Sequence, residues 1–282
     1  ARFKILLERL TKRQLDLVSG LRKFSNIKVI DLGAGTGASS LSLADFLHEQ
    51  KLENVEFELY DTSKLALEAA KTAFGYADHS YKVSTRGLRI ETYEPRNLSE
   101  KDLHIFTMSY VWNELYRNPK AQQKLLSMFG DLSKRIAFIL LFIEPANEEH
   151  AKFMMRIRDL LISKDVNVLY PCSHNLACPM LKKSDFNNWC FSEAGWQRPN
   201  EMTLIDRLLK LDHKHLAFSG YAFSSSMASK QISFKEKPAS TVMVGLPLLD
   251  DKKTRALLLC SEKGLTKMRS PCADQFHRGE IT

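Results

Sequence analysis

The sequence predicts an α/β protein with a parallel, doubly wound sheet, and three observations support this fold class. Short apolar runs alternate with helical patterns along the first 164 residues. A glycine-rich turn follows the first of these runs, at 33–37. The chain has 282 residues, 44% hydrophobic and 10% aromatic, which is enough to bury a large core. We therefore expect one large domain with additions.

The elements follow one another in a regular order. Residues 1–25 contain an amphipathic helical pattern with charges throughout, which does not fit a signal peptide. Helical patterns then follow each of four predicted strands, which are IKVIDL (27–32), VEFELYD (55–61), LHIFTMSYVW (103–112) and RIAFILLFIEP (135–145). Alternation of strands and helices is typical of parallel sheets with crossover helices.

The pattern changes after Lys164. A loop-rich stretch with three of the five cysteines comes first, and HLAFSGYAFSSS (215–226) then resumes as a strand. From Ser229 onward the chain is predicted to be β-rich, with strands in STVMVGLPLL and TRALLLC separated by a DDKK turn. The predicted organisation is an N-terminal helix (1–25), a main domain (26–228) with a cysteine-rich, metal-binding insertion (166–200), and a basic C-terminal extension (229–282).

The charge favours a polyanionic partner. The net charge is +8 and the isoelectric point is near 9.1, so nucleic acid is the first expectation and an anionic membrane surface the second. Basic residues outnumber acidic ones in the C-terminal extension, where they are Lys230, Lys235, Lys237, Lys252, Lys253, Arg255, Lys263, Lys267 and Arg269. The longest apolar run covers only 136–143, far short of the roughly 20 residues of a membrane span. We expect an intracellular protein without a membrane partner.

The first candidate site is DLGAGTG (31–37). Gly33, Gly35 and Gly37 allow a tight turn that a nucleotide can approach, ahead of a helix N-terminus. Gly33 and Gly35 with Ala38 also satisfy the G-x-G-x-x-A dinucleotide pattern, so a nicotinamide cofactor and a purely structural turn remain alternatives. Asp31 suits the cationic groups of S-adenosylmethionine, and Asp61 ends the second strand, where it could accept both ribose hydroxyls. This combination resembles the class I methyltransferases.

A catalytic residue is not identifiable from the sequence. The segment MSYVWNEL (108–115) lacks both the Asn-Pro-Pro-Tyr run that holds a target amine and a Pro-Cys nucleophile. Glu144 could act as a base, or as a carboxylate that caps a helix or lines the cleft. The sequence therefore supports cofactor binding better than methyl transfer.

The cysteine-rich stretch predicts a metal site. Cys172, Cys178 and Cys190 have the spacing C-x5-C-x11-C, and disulfides are disfavoured in a reducing compartment. A fourth ligand must come from elsewhere: Cys260 is the best placed, with Cys272 or His174 as alternatives. Thiolates suit zinc or an iron–sulfur cluster, and unrelated free thiols remain a further interpretation.

These motifs together resemble a known family. DLGAGTG, SYVWNEL, FIEPANEEHAKFMMRIRDLL, PCSHNLACPM and WCFS occur in the same order as in the methyltransferase-like assembly factors of the mitochondrial small ribosomal subunit and their bacterial relatives. The match runs from about Val29 to Cys260. The resemblance implies a Rossmann-like methyltransferase domain that binds S-adenosylmethionine and small-subunit ribosomal RNA, and in which methyl transfer is doubtful.

The resemblance also implies a metal centre and a partner. It assigns a four-iron, four-sulfur cluster to Cys172, Cys178, Cys190 and Cys260, with zinc as the alternative. Trp189, Trp196 and Arg198 are expected either to stack on unpaired RNA bases or to pack around the cluster. We expect a monomeric assembly factor in a bacterial cytoplasm, with the mitochondrial matrix as the alternative compartment. An active methyltransferase that modifies ribosomal RNA or a ribosomal protein is the second functional hypothesis.

Overall fold

The main body of the protein is a mixed sheet covered by helices on both faces. The computed structural model describes residues 1–77, 79–182, 189–211, 213–232, 234, 241–244, 248–249, 255–270 and 278–279. The main sheet contains β1 (Ile27–Leu32), β2 (Val55–Asp61), β3 (Lys82–Gly87), β4 (Leu103–Ser109), β5 (Ala137–Glu144), β6 (Val166–Tyr170), β7 (Ser192–Gly195) and β8 (His215–Ser225).

Nine helices lie in the described part of the chain. They are α1 (Arg2–Arg13), α2 (Leu17–Leu21), α3 (Ala38–Glu49), α4 (Lys64–Gly75), α5 (Trp112–Leu115), α6 (Pro119–Ser133), α7 (Glu148–Ile162), α8 (Asn200–Leu209) and α9 (Ser226–Ile232). None of them is long and apolar enough to cross a membrane. A second sheet contains β9 (Val242–Met243), β10 (Leu248–Leu249), β11 (Arg255–Ser261) and β12 (Gly264–Arg269).

The strand order explains where a ligand site can form. The main sheet runs β3-β2-β1-β4-β5-β8-β6, with β7 paired to β8. Strands β2 and β3 follow one another on one side of β1, and β4 and β5 follow on its other side. The strand order therefore reverses between the parallel neighbours β1 and β4. In open α/β sheets a crevice opens at such a reversal, outside the carboxyl ends of the strands.

The predicted α/β class is confirmed, but the sheet is not wholly parallel. Strand β8 runs antiparallel to β5 and to β6, between which it lies. The chain can reverse here because β8 arrives from the long segment after β6 and not through a crossover helix. The result is a mixed, Rossmann-like sheet in which one strand runs against its neighbours, whereas a parallel sheet was predicted.

Two other expectations need correction. Residues 166–200 were expected to be loop-rich, yet they supply β6 and β7 to the main sheet. The chain after Ser226 begins with α9, although a β-rich extension was predicted from Ser229. The second sheet does contain the predicted strands near 242–249 and 255–261, while the predicted DDKK turn lies outside the described residues.

Alternating side chains of the strands build two apolar layers. Val29 faces the layer formed with α1, α3, α4 and α9, whereas its neighbour Ile30 faces the layer formed with α5, α6 and α7. Along β5 every residue is buried, because helices cover both sides of this central strand. The core therefore holds the central strands rigidly, and their carboxyl ends form a fixed base for the loops above them.

Candidate cofactor cleft and cysteine cluster

The glycine loop after β1 lies at the reversal of strand order, and its three glycines have different roles. Gly33, Gly35 and Gly37 all have positive φ, at 80°, 53° and 78°. A Cβ on Gly33 would lie 2.5 Å from Val111 Cγ2, and one on Gly37 would lie 2.9 Å from Ala70 Cβ. A Cβ on Gly35 would meet nothing within 4 Å. Gly33 and Gly37 are therefore required for packing, whereas Gly35 faces open space.

Asp61 stands at the end of β2 and holds this loop. Its Oδ2 accepts a hydrogen bond from the Gly35 N–H at 2.8 Å, and its Oδ1 accepts one from the Ser63 N–H at 2.8 Å. Each carboxylate oxygen can accept a further bond, so Asp61 can hold the loop and still contact a ligand. This residue lies where the sequence predicted it.

Asp31 lies below the loop. It is only 1% exposed, and its Oδ2 accepts a hydrogen bond from Ser40 Oγ at 2.5 Å. Burial raises the pKa of Asp31 to about 6, against the lowering effect of the Ser40 hydroxyl. Asp31 lines neither of the two cavities described next. Its hydrogen bond with Ser40 stabilises the first turn of α3.

Two cavities open on either side of the glycine loop, and Gly33 lines both. The first has a volume of about 480 Å³ and is bordered by the end of β2, the segment 88–91 after β3 and the segment 111–115 after β4. The second has a volume of about 660 Å³ and is lined by the glycine loop, Ser109, Tyr110, Trp196, Met202 and His213, among others. The cleft is therefore divided by the loop into two compartments with different walls.

Glu144, at the end of β5, fixes the loop after β4. Its Oε1 accepts hydrogen bonds from the N–H groups of Val111 and Trp112 at 2.9 and 2.8 Å, and its Oε2 accepts one from Asn113 at 3.1 Å. The preceding Tyr110 has φ 60°, an uncommon conformation for a residue other than glycine. Burial raises the pKa of Glu144 to about 7, while the three N–H donors lower it. This carboxylate caps α5 and is not free to act as a base.

The cysteines come together from three separate segments. Cys178, Cys190 and Cys260 are buried in one apolar cluster with Met155, Met180, Val242, Val244 and Leu258. Cys172 packs against the edge of the main core, and it lies near enough to raise the pKa of the other three thiols. We refer to these four residues as the cysteine cluster. All four are free thiols.

Burial and mutual proximity raise the pKa of three thiols of the cysteine cluster. Burial, together with the nearby Cys172, raises the pKa of Cys178 to about 12. Burial raises the pKa of Cys260 to about 12 and that of Cys190 well above its usual value, again with contributions from the other cysteines. Among the described residues, no group of three or more His, Cys, Asp or Glu side chains is arranged so that it could hold a metal ion.

Two buried arginines border the cysteine cluster. Arg158 on α7 is 1% exposed, and it donates to the carbonyl oxygens of His174 and Leu176. Arg158 also pairs with Asp159, and its Nε has no hydrogen-bond partner among the described residues. Burial lowers the pKa of Arg158, but Cys172 and Asp159 raise it above its usual value. Arg278 lies 4.0 Å above the Phe191 ring. Burial lowers the pKa of Arg278, and Cys190 acts in the opposite direction. Both guanidinium groups place buried positive charge near the thiols.

Of the two alternative ligands, the structure describes His174. His174 accepts a hydrogen bond from the Leu176 N–H on Nδ1 at 3.2 Å, and burial lowers its pKa. Cys272 lies outside the described residues. Cys260 on β11 lies in the same buried cluster as Cys178 and Cys190.

The aromatic and basic residues singled out in the sequence have separate positions. Trp189 packs against the cysteine cluster and donates from Nε1 to the Ala146 oxygen at 2.7 Å. Trp196 lines the second cavity, and Arg198 forms an ion pair with Asp206. Exposed basic side chains of the C-terminal sheet include Lys263, Lys267 and Arg269. Lys235, Lys237, Lys252 and Lys253 lie outside the described residues, as does the side chain of Arg255.

The structure also shows site residues that the sequence reasoning missed. Asp206 on α8 binds His213 in the second cavity, and no motif marks this pair in the sequence. In the helical pattern NEMTLIDRLL, Asp206 stands among apolar residues, and this is a weak local sign that the inner face of the helix is polar.

Replacement of Glu144 by glutamine tests the clamp on the β4 loop. Folding raises the pKa of Glu144 from 4.5 to about 7, so its contribution to the free energy of unfolding is largest below pH 4.5 and is lost as the pH rises through 7. The difference between wild type and Glu144→Gln should therefore shrink, by up to about 3 kcal/mol, between about pH 4 and about pH 8 in urea unfolding. A difference that stays constant or grows with pH would contradict this assignment.

Comparison with known proteins gives a family. The sequence profile described as "Mitochondrial small ribosomal subunit Rsm22" matches residues 2–270. No curated protein matches the chain. Solved structures that match the chain include a methyltransferase from Pyrococcus furiosus, with 9% identity, coverage of 75% of this chain and 82% of that chain, and a TM-score of 0.39. An antibiotic-related methyltransferase has 14% identity, coverage of 75% and 94%, and a TM-score of 0.41. Because these scores are low, the fold assignment rests on the strand order. The profile match covers nearly the whole chain, and the protein belongs to the Rsm22 family.

Proposed function

We propose that this protein is an assembly factor of the small ribosomal subunit that binds ribosomal RNA, carries S-adenosylmethionine in its cleft and holds an iron–sulfur cluster. The observation that carries the proposal is the convergence of Cys178 and Cys190 with Cys260 of the second sheet, in a chain of the Rsm22 family. The family description supports the mitochondrial matrix, rather than a bacterial cytoplasm, as the compartment. The four-cysteine centre would join the basic second sheet to the main sheet.

The cleft fits S-adenosylmethionine in two compartments. Asp61 borders the cavity of about 480 Å³ with lone pairs available for ribose hydroxyls, and Leu88 and Ile90 give it apolar walls suited to adenine. The open space at Gly35 lets a ligand approach the loop backbone. The second cavity, beyond Gly33, is the place for the methionine part and for a methyl acceptor. When bound, S-adenosylmethionine supplies an electrophilic methyl group.

The cysteine cluster suits a cluster of iron and sulfide better than a single ion. Zinc requires sulfurs about 2.3 Å from one centre, and the described side chains are not arranged to hold one ion. An iron–sulfur cluster is bulkier, so its ligands stand farther apart, and it carries net negative charge with four thiolates. Arg158 and Arg278 supply buried positive charge beside the thiols. The chemistry of the donor set and of its neighbours therefore supports the cluster.

A basic surface on the second sheet suits RNA. Lys267 and Arg269 lie with Thr266 on the exposed strand β12, and Lys263 precedes them in the turn. Lysine and arginine side chains that neutralise phosphates release counterions, which makes RNA affinity depend on salt. Contact with an assembling particle is also supported by α8, where Leu204, Leu208 and Leu209 are 57–73% exposed.

Substitution of Gly35 tests the cofactor site. A methyl group at this position enters the space where the ligand approaches, so Gly35→Ala should weaken binding of S-adenosylhomocysteine at least about tenfold in calorimetry. Asp61→Asn should do the same because it loses acceptor capacity for ribose hydroxyls. Gly264→Ala, which also adds a methyl group into open space at a positive φ of 99° but at the start of β12, is the matched control and should bind like wild type. Equal affinity in Gly35→Ala and Gly264→Ala would argue against this cleft.

Metal analysis tests the cysteine cluster. Protein purified without oxygen should contain about four iron and four sulfide per chain. Cys178→Ser, Cys190→Ser and Cys260→Ser should each lose most of the iron, and they should unfold at lower temperature because the centre closes long loops. Cys272→Ser is the control and should keep its iron. One zinc per chain without sulfide would refute the iron–sulfur proposal. If Cys272→Ser lost its iron and Cys260→Ser kept it, Cys272 would be the fourth ligand in place of Cys260.

Charge neutralisation tests RNA binding and subunit assembly. Replacing Lys263, Lys267 and Arg269 by glutamine should flatten the dependence of log affinity for small-subunit ribosomal RNA on log salt, by about 0.7–0.9 for each phosphate contact removed. The control neutralises the same number of exposed lysines outside this sheet, at Lys51, Lys64 and Lys71.

The same variants can be examined in cells. Cells without the protein should accumulate immature small subunits, and the control variant should restore maturation while the β12 variant should not. Normal small subunits in cells without the protein would count against the whole proposal.

A further inference from the structure

His213 lies in the second cavity in a fixed orientation. Its Nδ1 lies 2.5 Å from Asp206 Oδ1, its main-chain N–H donates to Asp206 Oδ2 at 3.2 Å, and its carbonyl oxygen accepts from Trp196 Nε1 at 2.6 Å. Nδ1, the main-chain N–H and the carbonyl oxygen of His213 are therefore all engaged in hydrogen bonds. The imidazole itself is 42% exposed toward the cavity that it lines.

Asp206 orients this imidazole and selects its tautomer. The carboxylate is 4% exposed and also pairs with Arg198. The hydrogen bond from His213 lowers the pKa of Asp206 to about 2, so the carboxylate is ionised at neutral pH. A carboxylate on Nδ1 selects the tautomer with its proton on Nδ1, and it leaves Nε2 as an acceptor. Among the described residues, Nε2 has no hydrogen-bond partner.

The helix that carries Asp206 is held mainly by these polar contacts. Asp206 is the buried residue of α8, while Leu204, Leu208 and Leu209 of the same helix point outward. A surface helix usually buries its leucines and exposes its carboxylates. Here the arrangement is reversed, and the effect is to place a carboxylate behind His213. Departures of this kind are expected where function constrains a structure.

The walls of the cavity indicate what His213 would face. The glycine loop and Ser109 form one side, and Tyr110 and Trp196 supply aromatic rings. Aromatic side chains in a cavity are suited to unpaired nucleobases, which stack on them. The same cavity adjoins the first compartment through Gly33, so an acceptor held here would lie beside the proposed cofactor.

We propose that His213 is a general base for methyl transfer to an N–H or O–H group of an unpaired nucleoside in small-subunit ribosomal RNA, with Asp206 as its positioning residue. This inference rests on the proposed function for its cofactor and its RNA. The acceptor nitrogen or oxygen forms a bond to the methyl carbon, and the carbon–sulfur bond breaks with its electron pair going to sulfur. The proton of the acceptor goes to Nε2 of His213, and the resulting imidazolium is stabilised by Asp206.

The experiment uses full-length protein and immature small subunits from cells that lack it, with S-adenosylmethionine carrying a radioactive methyl group. Wild type should transfer methyl to ribosomal RNA in a single turnover. His213→Gln should lower the rate at least about 100-fold, and Asp206→Asn should lower the rate constant with little change in the subunit concentration for half-maximal rate. His215→Gln changes a nearby exposed histidine and should stay within about twofold of wild type.

Binding measurements separate this inference from the proposal beneath it. His213→Gln should bind S-adenosylhomocysteine in calorimetry and cosediment with immature subunits as wild type does, because the base is not needed for either. Wild type that binds both but transfers no methyl would overturn the inference and leave the assembly factor standing. Methyl recovered in a ribosomal protein, or an undiminished rate in His213→Gln, would also overturn it. Wild type that binds neither S-adenosylhomocysteine nor subunits would overturn both proposals.

Discussion

The cleft depends on one buried carboxylate. Glu144 ends the central strand β5, and it accepts three consecutive N–H groups from the loop after β4. Without these bonds, buried amides of that loop would lack partners, at a cost of about 1–3 kcal/mol each. The clamp places Val111 against Gly33, and it holds Tyr110 in its left-handed conformation. The two cavities exist because this loop and the glycine loop stand at fixed positions on either side of the strand reversal.

Packing and chemistry make different demands on the glycine loop. Gly33 and Gly37 leave no room for a side chain because Val111 and Ala70 press against them. Gly35 has room and is held instead by Asp61 through its N–H. Packing does not require Gly35, but the Asp61 carboxylate on the next strand orients its backbone. Such a glycine allows a ligand to be recognised by the loop backbone. The same loop thus contains a structural part and a recognition part.

Sequence reasoning found what local patterns encode and missed what depends on tertiary contacts. The glycine loop and Asp61 were located because a strand, a turn and a helix leave local marks. Strand β3, KVSTRG, was missed since it lies at the polar edge of the sheet, where no apolar alternation is required. Strand β8 was found, but its direction depends on the long segment before it. The Asp206–His213 pair was missed because it joins the inner face of α8 to the start of β8, and neither residue belongs to a recognisable spacing.

The cysteine cluster and the cleft share a short stretch of chain. Trp189, next to Cys190, bonds the Ala146 oxygen, two residues beyond Glu144. This hydrogen bond links the cysteine cluster to the end of β5, where Glu144 holds the loop after β4. In the proposed function, four ligands from distant parts of the chain close large loops, and binding of the centre would offset the lost chain entropy. A filled centre would then stabilise the second sheet and the Trp189 contact together.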